Sequence, residues 1–315
     1  MQFGMKRKKE EFSVESVEFR VVLKFRVEKL FCRVNKILYI CRLKQKVKMR
    51  EFAKRTIFGS LFVVVVIGSI LLDFWAFFAV MLAVVSLGSR EMAKLLANQE
   101  NSDTTTPVVI VATLFLVASV IFYPISHILQ LVLLFVPFLL ALFSKKYSFA
   151  EIAVSCWTSM FFVALPCVLM MELYWNTTLS TIEGKYLIII LFALIWINDI
   201  FAYLTGMALG KHKLFERISP KKTIEGSVGG LVMTVLVAFL VNHYWIHILD
   251  KWEMVGLAVV VVVFGSLGDL CESMLKRRAG VKDSGNVIPG HGGILDRFDA
   301  TFLAVPFVYC YLMLL

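Results

Sequence analysis

Charge is scarce in this sequence. Asp, Glu, Lys and Arg make up 18% of its 315 residues, against about a quarter in soluble domains. With 59% of residues drawn from AVILMFWYC and a mean hydropathy of +0.80, that shortage excludes an ordinary soluble enzyme. It also excludes a disordered chain, which needs low hydrophobicity and high net charge. Cysteine is sparse too. Cys32, Cys41, Cys156, Cys167, Cys271 and Cys310 form no CxxC pair, which rules out a disulfide scaffold and suits reduced, structural thiols. No His and Cys cluster stands at zinc spacing, no Ser or Cys is set for a triad, and no nucleic-acid-binding motif is present.

What charge there is lies unevenly. Residues 1 to 56 hold 17 basic and 6 acidic side chains, leaving 16 basic and 17 acidic for the other 259. A basic arm beside an apolar body points to the anionic inner leaflet, where each Lys or Arg contributes about 1 kcal/mol. The arm lacks a clear apolar core and a small-residue cleavage site, so it is not a signal peptide. Val21 to Arg42 mixes apolar and basic positions and suits an amphipathic surface helix. Met49, opening MREFAKRTIFGS, reads as an alternative translation start, in which case residues 1–48 are not part of the functional protein.

A spanning helix takes about 20 mostly apolar residues, because the hydrocarbon layer is about 30 Å thick. Nine such runs are expected, near 57–72, 74–90, 107–124, 126–144, 150–171, 186–209, 228–249, 253–275 and 299–315, the third and fourth parted only by Tyr123-Pro124. Basic residues collect in short cytoplasmic loops. With the N-terminus inside, 31 of the 33 basic residues fall on the inner side, and only Lys185 and Lys251 fall outside. The fold class is therefore an all-α polytopic membrane protein with about nine helices, its N-terminus cytoplasmic and its C-terminus outside. It divides into the arm at 1–48, a transmembrane bundle at 49–185, and a catalytic region at 186–315 with inner loops 210–227 and 276–298.

Ionisable groups inside a span are costly and mark function by default. Asp199, Tyr203, Gly206 and Gly210 recur at i, i+4, i+7 and i+11 and form one stripe of a helix. Asp269, Glu272, Ser273 and Lys276 form a second stripe, and Asp296 and Asp299 share a face at the opening of the last span. Hydrogen bonding between helices accounts for Asp199 equally well. Three acids converging from two helices are different, since they repel unless a cation lies among them, and oxygen-only ligation favours a hard ion such as Mg²⁺.

The two inner loops beside these acids carry the elements of phosphate binding. In one, Lys221 and Lys222 follow Ser219-Pro220, and Gly226, Gly229 and Gly230 open the next helix. In the other, Lys276, Arg277, Arg278 and Lys282 precede Gly290-His291-Gly292-Gly293. Glycine-rich helix starts bring N–H groups to anionic oxygens, and His291 reads as a phosphate or base contact rather than a general base. Lysines, glycine-rich helix starts and hard-ion acids together point to metal-assisted phosphoryl or nucleotidyl transfer.

The run SMLKRRAGVKDSGNVIPGHGGILDRFD, from Ser273 to Asp299, resembles the signature of the phosphatidate cytidylyltransferases, also called CDP-diacylglycerol synthases. A block upstream is similar to the family too, through Asp199, Tyr203, Gly206, Gly210-Lys211, Ser219-Pro220-Lys221-Lys222-Thr223 and Glu225-Gly226. The resemblance covers about Met49 to Leu315. It implies conversion of CTP and phosphatidate to CDP-diacylglycerol and pyrophosphate at the cytoplasmic face of the inner membrane, with Mg²⁺ on Asp269, Asp296 and Asp299, K⁺ beside it, and a homodimer. The catalytic set so implied is Lys221, Lys222, Lys276, Ser273 and His291. The substrate-binding set is Asp199, Tyr203, Lys211, Ser219, Arg277, Lys282, Asp283, Gly292, Gly293 and Arg297. Nucleic acid is not an expected partner.

Two other readings compete. A cation-coupled transporter should show internal repeats and acids at span centres, and neither is visible. A polyprenol kinase or an ether-lipid cytidylyltransferase would share the chemistry and differ in acceptor. The charge count itself is testable: a reporter fused after Leu315 should read on the opposite face of the membrane from a label placed between Lys211 and Lys222. Both on one face would overturn the nine-span topology.

Overall fold

A chain this apolar must satisfy its backbone hydrogen bonds internally when water is absent, and helices do so. The computed structural model describes residues 56–96, 105–121, 126–143, 149–175, 184–287 and 292–315. Phe58–Leu315 forms one compact unit, and of the other unit, Met1–Ile57, only Thr56 and Ile57 are described. The basic arm with Val21 to Arg42, Met49, Cys32 and Cys41, the Tyr123-Pro124 break, Lys145, Lys146, Gly290 and His291 lie outside the described residues.

The order is α1 (Thr56–Leu72), α2 (Phe74–Leu96), α3 (Thr105–Ile121), α4 (Ser126–Leu133), α5 (Val136–Phe143), α6 (Phe149–Ser159), a π turn (Met160–Ala164), α7 (Leu165–Trp175) and α8 (Gly184–Leu209). A hairpin of β1 (Lys213–Phe215) and β2 (Ser219–Thr223) follows, then α9 (Ile224–Val241), a second π turn (Asn242–Ile246), α10 (Lys251–Arg278) and α11 (Leu295–Leu314). Among the described residues, six helical segments are long and apolar enough to cross a membrane: Phe74–Leu96, Glu151–Trp175, Gly184–Leu209, Ile224–Tyr244, Lys251–Arg278 and Leu295–Leu314. Three shorter apolar helices, Thr56–Leu72, Thr106–Ile121 and His127–Phe143, fall on the remaining expected runs. The architecture is that of an all-α membrane protein with one small hairpin.

The structure departs from the expected boundaries at the polar edge. Helix α10 continues through Lys276 and Arg277 to Arg278, and α11 begins at Leu295 rather than near residue 299. A hydropathy reading stops at charge, whereas i to i−4 hydrogen bonds do not. The stripe of acids therefore sits on regular helix, where its spacing is rigid. The loop expected at 210–227 is a hairpin instead, with Lys213 opposite Thr223 and Phe215 opposite Ser219. Its strand β2 contains Pro220, which a two-stranded ribbon tolerates on its open edge.

Small residues decide how the last four helices meet. A Cβ on Gly230 of α9 would lie 2.6 Å from Asn198 Oδ1 and 3.0 Å from Ala202 Cβ of α8. Gly226 and Gly229 are equally close to Ala202 and Thr205, and Thr205 Oγ1 donates to Gly226 O across the seam at 3.2 Å. On the other pair, a Cβ on Gly268 of α10 would lie 2.5 Å from the Asp299 carbonyl oxygen of α11. Close backbone approach of this kind is how membrane helices gain packing without a hydrophobic driving force. Helix α1 joins through aromatic contact: Phe62 lies edge-on to the fully buried Phe298 of α11 at 5.5 Å, and Phe298 also meets Phe192 and Phe302.

Gly230→Val should therefore force α8 and α9 apart, at a cost of about 1–3 kcal/mol for overpacking. The expected result is a lower unfolding temperature in detergent than for the wild-type protein. An unchanged transition would mean the seam is looser than the glycine contacts indicate.

Candidate active site

The packing of α8 to α11 leaves a cavity of about 840 Å³. Its polar wall gathers acids from three helices: Asp199 of α8, Asp269 of α10, and Asp296 and Asp299 of α11. The Gly268 contact brings the backbone of Asp299 against the turn of α10 that carries Asp269. Lys221 and Lys222 enter from β2, Arg297 from α11, and Tyr203 from α8. The same cavity is also lined by apolar residues, Phe58, Phe62 and Val63 of α1 and Trp196 of α8.

The hairpin holds its lysines through its own hydrogen bonds. Thr223 N-caps α9, its Oγ1 accepting from Gly226 N at 3.2 Å. Glu225, in the first turn, accepts from the backbone N–H of Lys211 at 3.1 Å and of His212 at 3.2 Å, and lies 2.6 Å from His212 Nδ1. Lys211 thus acts here through its backbone, and Ser219 is a strand residue paired with Phe215. Arg277, expected to touch substrate, donates to the carbonyls of Ile218 and Val281, each at 3.3 Å, and so ties the hairpin to the end of α10. Lys282 and Asp283 lie exposed in the segment after α10.

Three lysines named by the sequence divide into two kinds. Lys222 Nζ lies 2.5 Å from Asp269 Oδ2, with both side chains about 30% exposed. An ion pair so exposed contributes roughly 0–1 kcal/mol, so a ligand phosphate can displace Asp269 at little cost. Lys221, on the same strand, is exposed beside it. Lys276 is different: it is buried, donating to Glu272 Oε2 at 2.8 Å and to Asp296 Oδ1 at 2.6 Å. Removing one partner of a buried pair leaves an uncompensated charge, which marks Lys276 as part of the frame. It is not among the residues lining the cavity.

Asp296 is correspondingly occupied. Besides Lys276, it accepts from Ser284 N at 2.9 Å, Gly293 N at 2.8 Å and Ser284 Oγ at 3.0 Å. Asp269 accepts from Ser273 Oγ at 3.2 Å, which gives Ser273 a partner inside the site, while Asp299 accepts from Ala300 N at 2.7 Å. Among the described residues, no three His, Cys, Asp or Glu side chains close on one point as a ready metal centre. The triad expected of Asp269, Asp296 and Asp299 is therefore not assembled in this arrangement, because Asp296 is turned toward its own loop. Asp199, Asp269 and Asp299 line the same cavity and offer oxygen donors only, the ligand type a hard divalent ion takes.

The glycine run also differs from its expected use. The N–H of Gly293 donates to Asp296, and those of Ile294 and Leu295 donate to Glu91 of α2 at 3.1 and 3.0 Å. A Cβ on Gly292, at φ +83°, would strike Asp296, and one on Gly293 would strike Ser284 and Glu91. Gly292 and Gly293 thus cradle the protein's own carboxylates rather than a phosphate. The positive start of α11 is filled from within. Glu91 escapes a sequence reading because it stands between Arg90 and Lys94 as one charge among several at a helix end, 193 positions from Ser284.

The sequence profile of the cytidylyltransferase family matches residues 53–315. The chain is 40% identical over 162 residues to a phosphatidate cytidylyltransferase of Staphylococcus aureus (strain COL), and equally so to that of Staphylococcus haemolyticus (strain JCSC1435). It is 38% identical over the same length to the Staphylococcus saprophyticus protein of that name. Each match covers 51% of this chain and 59% of the relative, so the chain spans little more than half the length of the relatives it matches.

Lys276→Met should strand Glu272 and Asp296, costing about 3–5 kcal/mol, read as loss of monodisperse protein or a lower unfolding temperature in detergent. Pairing it with Glu272→Leu should recover part of that loss. Wild-type stability in the single variant would show the buried pair to be dispensable.

Proposed function

Because the chain belongs to the cytidylyltransferase family, we propose that it transfers the cytidylyl group of CTP to phosphatidate, releasing pyrophosphate and leaving CDP-diacylglycerol in the membrane. The observation that carries this reading is one cavity with two characters. Its polar wall sets Asp199, Asp269 and Asp299 beside Lys221, Lys222 and Arg297, while its apolar wall presents Phe58, Phe62 and Val63. Acids and bases in equal measure suit a polyanion that arrives with a cation. An apolar wall beside them suits a lipid whose tails stay in the bilayer.

The chemistry asks little of acid–base catalysis. A phosphate oxygen of the lipid is already anionic, so no proton need be removed before it attacks. It forms the new bond to the α-phosphorus of CTP, the α–β bridging bond breaks, and its electron pair leaves on pyrophosphate. The cost lies in holding two anions together and in stabilising the leaving group. Lys222, released from its weak pair with Asp269, and Lys221 beside it bind the polyphosphate, and Arg297 adds a third positive group. Asp269 and Asp299, with Asp199 lining the same cavity, would hold a Mg²⁺ ion, which would supply charge neutralisation for the polyphosphate. Fixing both substrates in line then contributes most of the rate.

The finer features of this reading extend it. The shorter helices α1, α3 and the α4–α5 pair complete nine spans, with the hairpin and the segment between α10 and α11 on the cytoplasmic side of the inner membrane. K⁺ beside Mg²⁺ and a homodimer rest on family resemblance alone.

The deciding assay supplies purified protein with labelled CTP, Mg²⁺ and phosphatidate vesicles and scores a labelled liponucleotide. Wild-type protein should form it, and Asp299→Asn should lower kcat on the order of 100-fold or more while the protein still inserts. No product from the wild type, or a near-normal rate in the variant, would sink the reading.

A further inference from the structure

Resting on that reading, we infer that Glu91 is a positioning residue of the active site, acting through Ser284 and the start of α11 to fix the carboxylate of Asp296. Glu91 lies on α2, far from the catalytic region in sequence, and is 4% exposed. Its Oε1 accepts from Ile294 N at 3.1 Å, and its Oε2 accepts from Leu295 N at 3.0 Å. The hydroxyl of Ser284 has one proton and stands between two carboxylates, 2.9 Å from Glu91 Oε2 and 3.0 Å from Asp296 Oδ2. From Asp296 the chain of contacts runs on to Lys276 and Glu272. One carboxylate from the N-terminal half thus ties Ser284 to the start of α11.

The approach is prepared on both sides. On α2, Gly88 stands one turn before Glu91, and a Cβ there would press on Val163 at 3.0 Å and reach Leu295 at 3.6 Å. Absence of a side chain at Gly88 lets α2 approach Val163 of the π turn, beside the start of α11. On the loop, a Cβ at Gly285 or Gly293 would strike the Glu91 carboxylate directly. Two glycines that look like loop punctuation, Gly285 and Gly293, therefore clear a place for one acid. Carboxylate geometry is required there, since an amide offers a single acceptor and would turn its N–H groups toward backbone donors. Arg297 and Asp299, which line the cavity, follow on the first turn of the helix that Glu91 caps. A small displacement of that turn moves reacting groups, and misplacement of about 1 Å can cost on the order of 100-fold in rate.

The test combines kinetics with amide exchange on the full-length protein. Glu91→Gln should insert normally and keep its KM for CTP near the wild-type value, while kcat falls about 10- to 100-fold, the range seen when groups supporting a ligand are removed. Amides in the peptide from Val281 to Asp296 should exchange faster than in the wild type. Gly285→Ala should also lower kcat in the wild-type background, where its methyl group meets Glu91, and bring no further loss in Glu91→Ala, where the collision is gone. A kcat near the wild-type value in Glu91→Gln, equal losses from Gly285→Ala in both backgrounds, or unchanged exchange would each overturn the inference. Should Glu91→Gln fail to insert, Ser284→Ala retains both backbone caps and carries the same reading: kcat should fall with KM steady, and a wild-type kcat counts against it. Absence of liponucleotide from the wild type would defeat the proposed reaction, and the exchange arm would still decide whether Glu91 holds the loop.

Discussion

A carboxylate placed among apolar helices must find donors, and the junction of α10 and α11 meets that demand for Asp296. Its two oxygens receive an ammonium, two backbone N–H groups and a shared hydroxyl. Through these contacts α10, α11 and the segment between them become one body, and Glu91 extends the network to α2. Buried polar networks are rigid when satisfied and costly when broken. A site built on this frame inherits its rigidity.

Against that frame stand the groups left free to change partners. Lys222 and Asp269 face the cavity and are paired loosely enough for phosphate to intervene. Lys276 carries the same charge with the opposite purpose, since its burial fixes it between two acids. Solvent access, rather than residue type, separates the lysine open to a ligand from the lysine that supports the frame. The same contrast separates the acids: Asp296 is saturated by the protein, whereas Asp199, Asp269 and Asp299 face the space where ligand and cation would meet.

Among the described residues, glycine serves two ends that a phosphate-loop pattern does not announce. At Gly226, Gly230 and Gly268 the missing side chain lets helices touch backbone to backbone. At Gly285, Gly292 and Gly293 it leaves room for carboxylates. Both uses place acids from distant segments within reach of one another. A glycine pattern by itself does not say which kind of oxygen will fill the gap.

The sequence by itself determined the apolar helices, the register of the acid stripes, and the family signature from Ser273 to Asp299, because periodicity and the cost of charge in a hydrocarbon layer are local properties. The acids named from it at 199, 269, 296 and 299 do meet at one cavity. It did not determine the β1–β2 hairpin, whose strands are too short for a periodic signal, nor the extension of α10 and α11 through their charged ends. Only the tertiary structure decided which carboxylates are consumed by the protein and which stay open to a ligand. The pairing of Glu91 with Ser284 spans 193 positions. No local pattern encodes such a pair, because its energy exists only after α2 has packed against the start of α11.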